Sequence, residues 1–488
     1  MMDKKTIVIG SGIAGLAVAL RLKNKGYDVI VFESNSYPGG KIHNLELDGY
    51  RFDTGPSLFT LPNLVDELFS LFNENPKEYF TYTKRDTICN YFWDDGTRFI
   101  VSADKDTFVN EVVNTFQVSK NVIDNYLIKN KEKYDLTSSI FLEKSLHKFG
   151  TYFSLSTLKA LTLSYKLDIN QSLDDTNRHH FKDGKLVQLF NRYATYNGSS
   201  PYKTPGIMSM IPHLEMDLGT FLPVGGMKEI SESLYRFALE KGIHFRFNEE
   251  VEKISIDNKV VKGIETKRGK YEAEIVVSNS DVFTSYTNLL KEDLPPKKII
   301  KQERSSSAII FYWGIQKTFP ELDLHNILFS ENYEKEFDQI FNKQSVSDDP
   351  TIYINITSKV EGIDAPDGCE NWFVMINTSA NFGQDWDELI KYSKKNIISK
   401  INSILKTDIE KYIVCESILD PRTIESKTKS HRGSLYGASS NSKFAAFLRH
   451  PNFTRKVKGL YFCGGSVHPG GGIPLCLLSA KIVSDLID

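Results

Sequence analysis

Gly10-Ser11-Gly12-Ile13-Ala14-Gly15 has the spacing that lets a main chain cradle a diphosphate. Gly10 permits a tight turn, Gly12 lets backbone approach the phosphates, and Gly15 lets a helix pack closely on its strand. The helix start adds free N–H groups and a positive dipole end. Glu33, eighteen residues past Gly15, is placed to accept from a ribose 2′-hydroxyl. A 2′-phosphate would meet that carboxylate, which disfavours NADP. For proton transfer the chain offers His468, beside a Pro-Gly-Gly-Gly run and able to titrate near neutrality, and Glu215, just before Gly219-Thr220-Phe221-Leu222-Pro223. The plainer reading of His468 is a residue that only shapes its turn.

The elements that must hold these groups are legible in the periodicity. Residues 4–10 read as a buried strand, 13–25 as a helix and 27–33 as a second strand, a βαβ unit. A helix is predicted over 229–241, with strands over 243–247, 251–256, 260–266 and 275–278. Short β-rich runs at 306–316, 351–357 and 372–378 predict a sheet beneath a substrate. Three further segments turn the dinucleotide into FAD: Ser34 and Gly39-Gly40-Lys41 after the acid, Gly55-Pro56-Ser57, and Gly464-Gly465 with Gly470-Gly471-Gly472-Ile473-Pro474. Pro474 stands in the first turn of a predicted helix whose N-terminus can stabilise negative charge on a flavin.

The 488 residues exceed what one core usually serves, so two or three lobes around a shared site are expected. With 60 basic against 62 acidic residues the net charge of -2 gives no field for nucleic acid. Cys89, Cys369, Cys415, Cys463 and Cys476 are scattered, which excludes a disulfide framework and a zinc site and suits a reducing cytoplasm; no metal is expected. Prolines and glycines break the longest uncharged stretch, residues 459–480, so no bilayer-spanning helix is expected there. Residues 144–167 combine four lysines with many aromatics and no acid before Leu167. That stretch suits either the surface of an anionic membrane, on the inner face of the cell membrane, or a half-buried lid helix.

In these motifs, and in Phe181-Lys182-Asp183, Tyr196-Asn197-Gly198-Ser199-Ser200-Pro201, Phe221-Leu222-Pro223-Val224-Gly225-Gly226-Met227 and Ser278-Asn279-Ser280-Asp281, the chain resembles the carotenoid (phytoene) desaturase family over nearly its full length. The resemblance implies a discontinuous Rossmann-type FAD-binding α/β domain (1–75, 222–290, 455–488), a mixed-sheet substrate domain (76–105, 291–454) and a helical lid (106–221), possible membrane side included. It sets Val251 beside the adenine, Asn279 within the cofactor site, and Gly55, Pro56, Gly465, Gly472 and Ile473 near the flavin ring. Phytoene-acting members tend to carry Trp-Tyr after the Gly-Pro-Ser segment and Arg after the Gly-Gly pair. Here those places hold Leu58-Phe59 and Lys41, which looks more like the 1-hydroxycarotenoid 3,4-desaturase branch.

The implied reaction is loss of hydride from C4 of a carotenoid end group and of a proton from C3. The polyene delocalises the intermediate cation, so a strong base is not required. A rigid apolar substrate needs a tunnel, for which Tyr193, Tyr196, Phe311, Tyr312 and Trp313 are candidates; ordinary core aromatics are the alternative. A quinone or oxygen is the expected electron acceptor. Rival readings are a phytoene or zeta-carotene desaturase, a carotenoid isomerase, an amine oxidase and a prenyl-binding protein without redox activity.

Overall fold

The computed structural model describes residues 4–148, 162–290, 296 and 301–487. Most of the basic, aromatic stretch at 144–167 therefore lies outside the described residues.

Two large sheets organise the chain. In the first, five parallel strands run in the order Leu460–Phe462, Ile275–Ser278, Lys5–Ile9, Asp28–Phe32, His244–Arg246. Parallel strands need crossover connections, and the helix Ile13–Asn24 is the first of them. Ten of its twelve residues are buried, between the sheet and the helices Glu229–Glu240 and Ile473–Leu486. A small antiparallel sheet, Val251–Asp257, Val260–Thr266 and Gly269–Glu272, is attached at Lys458 and sets Val251 among Ile9 and Phe32. Three stretches far apart in sequence thus build one parallel sheet, with helices packed on one face and the small antiparallel sheet on the other.

The second sheet has seven strands, in the order Ile413–Leu419, Ser307–Ile315, Glu370–Thr378, Ile352–Asn355, His325–Leu328, Thr87–Phe92, Arg98–Ser102. All neighbours are antiparallel except His325–Leu328 with Thr87–Phe92. One face, carrying Phe311, Trp313, Trp372, Val374 and Ile354, packs on the helix Trp386–Leu405. The other face carries Tyr312, Phe373, Tyr353, His325 and Tyr91. Helices Lys105–Phe116, Lys120–Thr137, Leu173–His180 and Gly184–Asn191 cover its far end.

Among the described residues no helix is long and apolar enough to cross a membrane.

Candidate functional site

The glycine loop leaves the strand Lys5–Ile9 at Gly10, which takes φ +93°, a value costly for any side-chain-bearing residue. A Cβ on Gly15 would run into the Gly10 carbonyl, so helix and loop touch only because that carbon is missing. Glu33, at the end of the neighbouring strand, is buried and fully engaged. Its Oε2 accepts from the Ser11 N–H (2.8 Å) and the Ser11 hydroxyl (2.9 Å). Its Oε1 accepts from the Asn35 N–H (2.8 Å), the Asn35 amide (2.9 Å) and the Ser34 hydroxyl (3.3 Å). The carboxylate therefore shapes the loop itself, beyond the ribose contact expected of it. Asn279 works from the other side: its Oδ1 accepts from the Gly15 N–H (3.1 Å) and its Nδ2 donates to the Cys463 carbonyl (3.2 Å).

The remaining glycine segments converge on this loop. Gly39 donates its N–H to the Ser11 carbonyl (2.9 Å), and a Cβ on Gly40 would stand 3.3 Å from the Gly12 Cα. Gly55 lies against the Lys41 carbonyl. Lys41 Nζ donates to the Leu435 carbonyl (2.8 Å), and burial lowers its pKa to about 8, partly offset by Asp281. From the C-terminus come Gly464, beside the Asn279 side chain, and Gly465, beside Gly471. The helix Ile473–Leu486 begins after Gly472, which has φ +106° and open space where its Cβ would stand. Ile13, Ala14, Ser34 and Pro474 line the same convergence of loop and helix starts, and Pro56 follows directly on Gly55.

This donor set fits FAD. The two helix N-termini supply free N–H groups and dipole for a diphosphate and for the anionic edge of a reduced ring. The glycine-bare backbone leaves room for a flat ligand.

Sequence reasoning missed the arginines and the tyrosine that brace the site. Arg304 pairs with Asp281 at 2.6 Å, both buried, and reaches Ser434 (2.9 Å). Arg449, 2 % exposed, donates to the carbonyls of Tyr436 (2.8 Å) and Gly465 (3.3 Å). Tyr436 itself packs on Gly471 and Gly198. No motif flags these residues, because each is a lone residue whose partner is distant in sequence.

Several sequence expectations change here. His468 is buried, and its Nε2 lies 2.9 Å from the Lys144 carbonyl, an acceptor, so the ring donates there and ties the C-terminal loop to the helical segment. Burial, with the charges of nearby His147 and Arg449, lowers its pKa to about 4, too low for a base near neutrality. Glu215 is equally committed: it is paired with Arg192 at 3.0 Å, both buried, and accepts from the hydroxyl of the half-buried Tyr196 at 2.8 Å. The Arg192 guanidinium lies 4.5 Å from the Tyr193 ring centre. Tyr193 and Tyr196 therefore cage an ion pair. Phe311 and Trp313 point away from the flavin segments into the core under Trp386–Leu405, because alternate residues of a strand face opposite sides. Tyr312 alone of that trio faces the cofactor side, its hydroxyl donating to the Thr54 carbonyl at 3.0 Å.

A second polar line leaves the Gly55-Pro56-Ser57 segment along the same face. The Ser57 hydroxyl lies 2.7 Å from the Tyr353 hydroxyl, which lies 2.7 Å from His325 Nδ1.

The family model for flavin containing amine oxidoreductases matches residues 13–488, and the chain belongs to that family. Its cofactor is FAD. Within the family it is 59% identical, over 99% of both chains, to the 1-hydroxycarotenoid 3,4-desaturase of Flavobacterium sp. strain P99-3. It is 30% identical to the 4,4'-diapolycopene oxygenase of Methylomonas sp, covering 99% of this chain and 98% of that one. Among solved structures, an oxidoreductase from Methanosarcina mazei superposes with TM-score 0.65 at 16% identity, covering 99% and 100% of the two chains. Putrescine oxidase with bound putrescine gives TM-score 0.65 at 15% identity over 100% and 99%. These two likenesses establish the fold.

Proposed function

We propose that this protein introduces the C3–C4 double bond into 1-hydroxylated acyclic carotenoid end groups. The observation that carries this reading is the 59% identity, over 99% of both chains, to a 1-hydroxycarotenoid 3,4-desaturase. Lys41 and Leu58-Phe59 at the places where phytoene-acting members differ support it.

Bound FAD supplies the two-electron acceptor for the hydride that leaves C4. The chain's own contribution is placement. Glu33, Ser11 and the helix start at Ile13 would hold the nucleotide end, while Gly55, Pro56, Gly465 and Gly472 would bring backbone to the ring end. Tyr312 fixes the Thr54 carbonyl, and with it the Gly55-Pro56-Ser57 turn, relative to the substrate sheet. Holding the reacting carbon about 3 to 3.5 Å from its acceptor can supply much of the rate, since orientation replaces an entropy cost. Neither His468 nor Glu215 is free to take the C3 proton, which fits a cation acidic enough to need no strong base. A quinone or oxygen as terminal acceptor, and attachment to the inner face of the cell membrane through residues 144–167, complete the reading.

Incubation of the FAD-loaded protein with a 1-hydroxylated acyclic carotenoid in lipid tests it. The expected product is lighter by two hydrogens, with a red-shifted absorption. An unchanged hydroxylated carotenoid alongside conversion of phytoene would overturn the proposal.

A further inference from the structure

The line of hydroxyls leaving Ser57 ends on a histidine whose protonation the geometry decides. His325 is 3 % exposed and sits on the strand His325–Leu328, between Ile352–Asn355 and Thr87–Phe92. The Asn355 side-chain amide lies 3.2 Å from His325 Nδ1 and 2.9 Å from the Leu324 carbonyl. A carbonyl only accepts, so that atom of Asn355 is the NH2 group. It therefore donates to Nδ1, and Nδ1 carries no proton. The Tyr353 hydroxyl must then donate to Nδ1 as well, and the Ser57 hydroxyl to Tyr353. The chain has one direction, from Ser57 through Tyr353 to His325.

Burial keeps this imidazole neutral, helped by the positive charges of Arg192 and Arg85. A neutral ring without a proton on Nδ1 carries it on Nε2. Nε2 is buried and has no hydrogen-bond partner among the described residues. A buried donor without an acceptor is unusual and calls for a partner, which a bound ligand or an ordered water can supply.

The location matches one part of the proposed substrate. From the C1 hydroxyl oxygen to C4 is a path of four bonds of about 1.5 Å, which spans about 5 Å when extended. Adding a hydrogen bond of about 2.8 Å, the donor must lie within about 8 Å of the reacting carbon. Tyr353 touches Ser57 in the segment set against the ring, and His325 is on the adjacent strand, about 4.8 Å further along the sheet. The face between them is otherwise aromatic, with Phe373 on one side and Tyr91 on the other.

We propose that His325, through its Nε2–H, receives the C1 hydroxyl of the substrate and sets the preference for hydroxylated carotenoids. Tyr353 and Ser57 act as positioning residues that hold the ring in this tautomer. The inference rests on the desaturase reading above.

The test compares kcat/KM of the FAD-loaded protein, in lipid, for a 1-hydroxylated acyclic carotenoid and for its analogue with hydrogen in place of the hydroxyl. The natural protein is expected to favour the hydroxylated substrate by about tenfold or more, since a site built to hydrogen-bond a hydroxyl rejects the analogue lacking it. His325→Phe should lose rate on the hydroxylated substrate only, bringing the ratio to within about threefold of one. His325→Gln, which keeps an N–H, should recover part of the preference. Tyr353→Phe removes the nearer of the two donors to Nδ1 and leaves the longer one from Asn355, so it should cut the preference severalfold, and it carries the test if His325→Phe fails to load FAD. Variants that lose both substrates in equal proportion, with the ratio intact, overturn the assignment of His325. A natural protein inert toward both carotenoids overturns the desaturase reading instead, and this inference with it.

Discussion

The carboxylate of Glu33 and the ion pair of Arg192 with Glu215 are both buried, and they are built in opposite ways. Glu33 collects five donors, four of them from Ser11 and Asn35, within one strand-turn-helix unit. Arg192, Glu215 and neighbouring His325 draw on elements scattered over more than a hundred residues, and His325 Nε2 and Arg192 Nε have no hydrogen-bond partner among the described residues. A nucleotide recurs in many proteins and is met by a self-sufficient local unit. The substrate end is assembled across the fold and left partly unsatisfied, which is where a specific ligand can act.

The contrast can be broken by acid. Folded pKa values of about 3 for His325 and about 4 for His468 and His450 lie below the ordinary imidazole value, through burial first. Below about pH 6.5 the unfolded chain binds more protons, so stability is flat above that pH and falls as pH drops toward these values. Each of these buried imidazoles should cost about 2 kcal/mol by pH 5. Thermal melts from pH 7.5 to 4.5 check this; a flat Tm across that range would remove the claim that the rings stay neutral.

Arg192→Met strikes the assembled cluster directly. It strands the Glu215 charge beneath the tyrosines, and the expected loss is about 3 to 5 kcal/mol. Denaturant unfolding measures it, and Arg192→Met with Glu215→Leu should recover much of the loss.

Glu33→Ala tests the local unit. Five donors lose their acceptor, so FAD affinity should fall by about a hundredfold, equivalent to about 2.7 kcal/mol, while the substrate preference stays put. Flavin absorbance against FAD titration reads the affinity; unaltered flavin content would take the role from Glu33.

His468→Gln should do least. A glutamine amide can still donate to the Lys144 carbonyl, so turnover should hold within about threefold and stability within about 1 kcal/mol. A large loss of turnover with flavin retained would return His468 to proton transfer.

The aromatic trio of the strand Ser307–Ile315 shows where sequence reading ran out. All nine of its residues are buried, so apolar and polar positions do not alternate, and nothing in the string Phe311-Tyr312-Trp313 says which side chain faces the cofactor. The strands at 260–266 and 275–278 were legible to the residue, and the helix over 229–241 to within one, because each carries its own hydrophobic period. The strands Thr87–Phe92 and His325–Leu328, which hold Tyr91 and His325, gave no such signal.

By itself the sequence determined the nucleotide unit, its acid, the flavin-dense glycines and the family. These depend on contiguous residues whose spacing is fixed by the strand and helix repeats. Only the tertiary structure decided that His468 and Glu215 are bound up in ties, that Tyr312 and not its neighbours faces the site, and that His325 ends a one-way chain from Ser57. Those facts depend on which strands pair and in what register, and a one-residue slip would exchange the two faces of the sheet.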